Sequence, residues 1–188
     1  MEGALSWRAV TDTAVPTLTL PGRIVQALLA GEQVIDLRPQ PDAGALPAGA
    51  TRFWLRAEPG AEPELKPAYQ RARELSLPDE AAGAGQVRID GWAELAASGT
   101  TVVDDKTREA LNGKTILALE PLAGREVLVL ALRAHRLVEP VTVPDDLSGL
   151  PADPAEGPPA EPALSETAFR ARYGGLLDAL PGGLKPPG

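Results

Sequence analysis

Apolar residues recur along this chain with two periods. Ile24, Val25, Leu28 and Leu29 return at helical spacing between Pro21-Gly22 and Gly31, which predicts a short amphipathic helix capped at its C-terminus by the glycine. A strand is expected to follow directly. In Gln33 to Arg38, Val34, Asp36 and Arg38 face one way and Ile35 and Leu37 the other, because side chains alternate along a strand. Thr51 to Arg56 repeats this, with Phe53 and Leu55 opposite Arg52, Trp54 and Arg56. Glu64 to Leu75 reads as a polar helix. Val87, Ile89, Ala93 and Leu95 alternate with Arg88, Asp90, Trp92 and Glu94, a half-buried antiparallel strand with Gly91 as the candidate bulge. Asp104 or Asp105 caps a short helix through Leu111, ended by Asn112-Gly113. Thr115 to Leu119 and Val127 to Leu137 are the last expected strands, the second being the most apolar run and expected at the centre of the sheet. Leu164, Phe169, Tyr173, Leu176, Leu177 and Leu180 return to helical spacing after Ser165, until Pro181-Gly182 stops them. The last residues, Gly182 to Gly188, read as frayed.

Short helices among mainly antiparallel strands, with no regular βαβ repeat, predict an α+β fold: a mixed sheet or a partly closed barrel. Composition then divides the chain. Its 19 Gly and 20 Pro among 188 residues concentrate in turn-rich stretches, notably Pro39 to Gly49, Ala57 to Pro63 and Pro78 to Gly85. The longest such stretch, Pro144 to Ala163, mixes six prolines with acidic residues and no base, which predicts a disordered, extended acidic linker. The expected organisation is therefore an α+β body over 1–143, a linker over 144–163, a C-terminal helix over 164–181 docked on the body, and a tail over 182–188.

Charge narrows the partners. Eighteen Lys plus Arg against 26 Asp plus Glu give a net charge of −8. Such acidity argues against a general polyanion-binding surface, although it leaves room for a local basic patch that an acidic arm screens. Zero Cys excludes thiolate nucleophiles and Cys-based metal sites, and a single His removes most His-rich ones. Neither a signal-peptide h-region near the N-terminus nor an apolar run of membrane-spanning length is present, so the protein reads as cytoplasmic with no membrane partner.

Several blocks, taken in order, resemble a known family. Trp7-Arg8-Ala9-Val10, the run Ala27 to Arg38, Arg52-Phe53-Trp54-Leu55, Val87-Arg88-Ile89-Asp90-Gly91-Trp92-Ala93-Glu94, Leu128 to Pro144 and Leu164 to Phe169 together resemble the bacterial DUF1802 family over nearly the whole chain. Pro39-Gln40-Pro41-Asp42 stands where that family has lysine-glycine-glycine-isoleucine, and the acidic stretch replaces its glycine-cysteine and serine-tryptophan-valine segment. That family has no established activity, so the resemblance implies kinship and not chemistry. Ile24 to Arg38 also resembles the glycine-x-lysine-x-x-glutamate-x-arginine motif of ASCH domains, with Gly31 and Arg38 matching, Gln33 in place of the lysine and Asp36 in place of the glutamate. That resemblance implies a PUA-like barrel associated with RNA.

The candidate site is a polar face made of Asp36, Arg38, Arg52, Arg56, Arg133 and His135, with Trp54 as a stacking surface. Arg133 and His135 continue one face of the last strand and interrupt its apolar pattern. One reading is a nucleic-acid-binding face, with guanidinium groups on phosphates and Trp54 under a base. The other is that these charges are solvated where the strand leaves the core, in weak surface ion pairs. His135 as a general base lacks any nucleophile elbow or phosphate loop to act with. A metal-dependent hydrolase or nuclease would draw on Asp90, Glu94 and Lys114, with Asp104, Asp105, Lys106 and Glu120 near by in sequence; a helix N-cap accounts for the Asp104-Asp105 pair equally well. A third class is a protein-interaction adaptor working through the acidic stretch and the C-terminal helix. Trp7 and Trp92 read as packing residues. The sequence thus favours a non-enzymatic nucleic-acid-binding module with no cofactor and no metal.

Overall fold

The computed structural model describes residues 15–39, 51–58, 65–66, 85–112, 114–179 and 184, with the backbone alone for 175–179. Trp7, most of the tail and all but two residues of the helix expected over Glu64–Leu75 lie outside them; those two, Leu65 and Lys66, are not helical, Leu65 bridging Leu117 and the Lys66 N–H donating to Ile116 O at 2.9 Å. Six strands make one mixed sheet: β1 (Thr17–Pro21), β2 (Ile35–Pro39), β3 (Arg52–Glu58), β4 (Gln86–Val102), β5 (Glu126–Pro144) and β6 (Ala160–Pro162). The spatial order is β1-β3-β4-β5-β2, with β6 also paired to β5. The path ends at β1 and β2 without closing, so the open mixed sheet, not the barrel, is the form adopted. Among the described strands, β1 and β3 pair in parallel and the other pairings are antiparallel.

Helices α1 (Gly22–Leu29), α2 (Asp105–Leu111) and α3 (Glu166–Ala179) cover the sheet. As its pattern predicts, α1 ends at Gly31: φ is +77°, the Gly31 N–H donates to Leu28 O at 3.2 Å and the Glu32 N–H to Ala27 O at 2.9 Å. This paired closure of the last turn needs a left-handed residue, which glycine supplies without a Cβ clash. Asp104 caps α2, its carboxylate accepting from the Thr107 N–H at 2.7 Å, which holds its pKa below the usual carboxylate value.

The long β4–β5 hairpin dominates the molecule, and its register decides which side chains share a face. Arg52, Glu94 and Arg133 lie opposite one another across β3, β4 and β5; the next row on that face is Trp54, Trp92 and His135. Phe53, Ala93 and Ala134 make the intervening row on the other face, where they join α1 residues Ile24, Val25, Leu28 and Leu29 in one core. On the first face, Val127, Val129 and Ala131 pack with Leu111 and Phe169 beneath α2 and α3, while Trp54, Ile89, Trp92 and Leu137 form a separate cluster with Leu147.

Three expectations need correction. The ladder shifts register between Ile89 and Gly91, so Gly91 is at a bulge as predicted, but the shift exchanges faces: Ile89 packs with Trp92, not with Ala93 and Leu95. Thr115 to Leu119 is not a strand. Isolated bridges at Thr115 and Leu117 replace it, because the buried Gln33 side chain takes the polar groups a neighbouring strand would have taken: its Oε1 accepts from the Ile116 N–H at 2.9 Å and the Thr115 hydroxyl at 3.0 Å. The stretch Pro144 to Ala163 is packed, not an extended disordered linker. It contains a 3-10 turn (Pro154–Glu156) and β6, buries Leu147, and its Pro151 carbonyl accepts from Trp54 Nε1 at 2.9 Å. Its composition supplies few apolar anchors, and one buried leucine, one indole and a strand edge suffice to hold it. We call it the strap.

Candidate functional site

Of the six predicted site residues and Asp36, the register separates two. Asp36 and Arg38 pair with Leu130 and Leu128, which face α1, so they lie on the opposite side of the sheet from Arg133 and His135. There Arg38 Nε donates to Asp36 Oδ2 at 3.0 Å, with both side chains largely buried. Burial pushes the Asp36 carboxyl above its ordinary value, and the neighbouring guanidinium only partly offsets that. Arg38 thus serves an internal pair. Gln33 on the same strand lead-in is likewise buried and internally bonded, to the Thr115 hydroxyl, the Ile116 N–H and the Ile35 carbonyl.

Arg52, Trp54 and Arg56 share a face with Arg133 and His135, as alternation on β3 predicts, but the strap covers them. Trp54 is fully buried, Gly157 packs against its ring and Pro151 takes its N–H, so it is no stacking surface for a base. Arg52 Nε donates to Glu94 at 3.2 Å, and its Nη1 reaches Asp153 at 3.1 Å; the Glu94 hydrogen bond is the largest reason its pKa is raised. Arg56 binds the Asp145 carbonyl and stands 3.6 Å from its carboxylate. An acidic segment therefore does screen a basic patch.

What remains open is a cleft of about 650 Å³ between the sheet and α3. Thr51, Glu94, Leu95, Ala96 and Arg133 form its floor, and Glu166, Phe169, Arg170, Tyr173 and Gly174 its wall. Phe169 and Tyr173 stack with ring centres 5.3 Å apart. The docked helix α3, expected from its apolar spacing, builds that wall. Its attachment was not legible in sequence: the Arg172 guanidinium donates to the Gly31 and Glu32 carbonyls at the end of α1.

Beside the cleft, His135 stacks on Trp92 with ring centres 4.0 Å apart and planes 10° from parallel. Its Nε2 is 4.0 Å from Glu94 Oε1, too far for a hydrogen bond. Burial, then the Arg133 charge, hold the imidazole below its ordinary pKa, so it is neutral at pH 7. Three buried polar atoms gathered here, Arg133 Nε, His135 Nε2 and Trp92 Nε1, have no hydrogen-bond partner among the described residues. Buried donors and acceptors in folded proteins are nearly always satisfied, so three such atoms on one face of the sheet set it apart from the α1 face.

The carboxylates considered for a metal do not converge. Asp90 takes Arg88 at 2.8 Å, Glu94 takes Arg52, and Asp104 is the α2 cap. Among the described residues no group of three or more His, Asp or Glu side chains is placed to hold an ion. No helix among them is long and apolar enough to cross a membrane.

No family model matches the chain, and the DUF1802 resemblance is not confirmed. No curated protein matches it either. Among solved structures, it is similar to the crystal structure of ASCH from Zymomonas mobilis at 16% identity and a TM-score of 0.44, over 88% of this chain and 96% of that one. A serine-to-alanine mutant of the same Zymomonas mobilis protein gives 16% identity and a TM-score of 0.43, over 88% and 97%. The architecture described above rests on its own strand pairings.

Proposed function

We propose that this protein is a non-enzymatic nucleic-acid-binding module that takes an unpaired nucleotide of a single strand in the cleft between α3 and the sheet. One observation carries the reading: the half-buried Arg133 lines the cleft opposite a wall of stacked aromatic side chains. A guanidinium offers paired donors to phosphate or to a base edge, and an aromatic wall suits the apolar face of a base or ribose. Neutral His135 and the partly exposed Glu94 add an acceptor and a carboxylate to read donor groups. A cleft of this size in an acidic protein suits a short unpaired segment better than a duplex, whose binding needs a broad basic surface.

Fluorescence polarisation of labelled single-stranded and duplex oligonucleotides across a salt series tests this. The single strand is expected to bind with a shallow salt dependence, and Arg133→Ala to weaken it by about tenfold or more, the size of a lost charged hydrogen bond. Absence of binding at low salt, or affinity indifferent to Arg133→Ala, overturns the proposal.

A further inference from the structure

We propose that Arg52 and Arg56 form a second phosphate-binding track beside the cleft, held closed by strap carboxylates that stand where nucleic-acid phosphates would. The proposal rests on the cleft reading and extends it along β3. Both side chains lie on the cleft face of one strand, four residues apart, which at the rise of an extended chain separates them by roughly 13 Å. Arg52 is bound to Glu94, itself part of the cleft floor, so the track begins where the cleft ends. A single strand with one nucleotide in the cleft would run along β3 past both guanidinium groups.

Their present partners have the geometry of phosphates. Both Asp153 carboxylate oxygens are within reach of Arg52 Nη1, at 3.1 and 3.3 Å, and Asp145 faces Arg56. Carboxylate and phosphate oxygens are recognised by guanidinium in the same way, so one can replace the other. The exchange does not require the strap to leave. Its anchors are elsewhere, in buried Leu147, the Pro151 carbonyl on Trp54, and β6 on β5. The ion pairs themselves are partly exposed, with Arg52 and Asp153 both at 39% and Arg56 at 30%, and pairs of that kind are weak and salt-sensitive. The acidic strap thus reconciles a net charge of −8 with an arginine track: the track is neutral until a phosphate competes for it.

The test is the single-strand polarisation titration, repeated with Asp145→Asn/Asp153→Asn in the full chain. Asparagine at 153 can still accept the Ala155 N–H that starts the 3-10 turn, and near-ultraviolet circular dichroism checks that the strap stays seated. Affinity is expected to rise about tenfold at low salt. The slope of log affinity against log salt is expected to steepen by roughly 1.4, the value for two added phosphate contacts on a single strand. Adding Arg52→Gln/Arg56→Gln should abolish both gains, and neutralising exposed Asp105 and Glu139 instead should produce neither. An unchanged affinity and slope in the strap variant, or a gain that survives loss of the two arginines, overturns the track. Binding that responds to the strap but ignores Arg133→Ala overturns the cleft reading instead, and silence from every variant overturns both.

Discussion

Under α1, the sheet presents Phe53, Leu55, Ala93, Leu95, Leu130, Leu132 and Ala134 to Ile24, Val25, Leu28 and Leu29, all buried. On the other face, the same three strands carry apolar side chains at both ends and Arg52, Glu94, Arg133 and His135 between them, with several polar atoms buried and unpaired. The charged pair associated with the α1 side, Asp36 and Arg38, is closed on itself. The difference teaches where to look for function in an unfamiliar fold. A face whose groups are mutually satisfied is finished as structure, whereas a face with unsatisfied polar groups beside a cleft is the one on which to test a binding role.

The comparison can be broken by substitution. The largest expected effect is at Phe53, buried at the centre of the α1 core: Phe53→Ala should lower stability by about 3–5 kcal/mol in urea unfolding. A loss below 1 kcal/mol would mean that the α1 face is not the stabilising one. Gly91→Ala comes next. A Cβ at Gly91 would lie 2.3 Å from the His135 carbonyl oxygen and 2.5 Å from Leu29 Cδ2, and the backbone clash should cost about 1–3 kcal/mol. Its thermal midpoint should fall accordingly, and a midpoint equal to wild type would refute the close approach of β4 and β5. Trp54→Phe keeps the ring packing but removes the donor to Pro151, for a loss of about 1 kcal/mol; strap cleavage by protease should accelerate with it.

Arg133→Met should change stability by less than about 1 kcal/mol in either direction while weakening nucleic-acid binding about tenfold or more, because replacing a half-buried charge by an apolar side chain of similar length is often neutral. A strongly destabilised Arg133→Met protein would place Arg133 among the structural residues and erase the contrast between the faces. The smallest effect is also the cleanest to read, since His135 is the single histidine. Its imidazole resonances should titrate below pH 6.5, and Arg133→Met should move the midpoint upward by removing a repelling charge. The sign for stability follows. A folded-state pKa below the unfolded value of 6.5 contributes stability that is complete above 6.5 and lost as pH falls from there through the folded value. Asp36 runs the other way: with its folded pKa raised above 3.8, the folded state gains stability relative to Asp36→Asn as pH falls through that value toward 3.8.

Helices were the most legible elements. Periodicity with a terminal glycine placed α1, a capping aspartate placed α2, and the Leu164 to Leu180 spacing placed α3. Strands β2, β3, β4 and β5 were located but the hairpin was read short, since both long strands continue into polar residues whose ladder hydrogen bonds do not depend on side chains. β1 was missed although Thr17-Leu18-Thr19-Leu20 alternates, as only five residues carry the signal and no turn marks its start. The arginines of the candidate site were named correctly as charged positions on strands, but their partners lie far along the chain: Asp153 is 101 residues from Arg52. Phe169, Tyr173 and Arg170 were read as parts of a docked helix, and nothing in their spacing says that they wall a cleft.

The sequence by itself determined the α+β class, the positions of the helices, the alternation that puts Arg52, Trp54 and Arg56 on one side of a strand, and the excess of acid over base. Those properties are local or additive, set by side-chain periodicity, caps and composition. Only the tertiary structure decided that Arg38 faces away from Arg133, that Trp54 is covered, that the acidic stretch is a strap, and that Arg133 keeps a buried nitrogen free. Each of these depends on register between distant strands, and a one-residue shift there, such as the bulge at Gly91, moves a side chain to the opposite face.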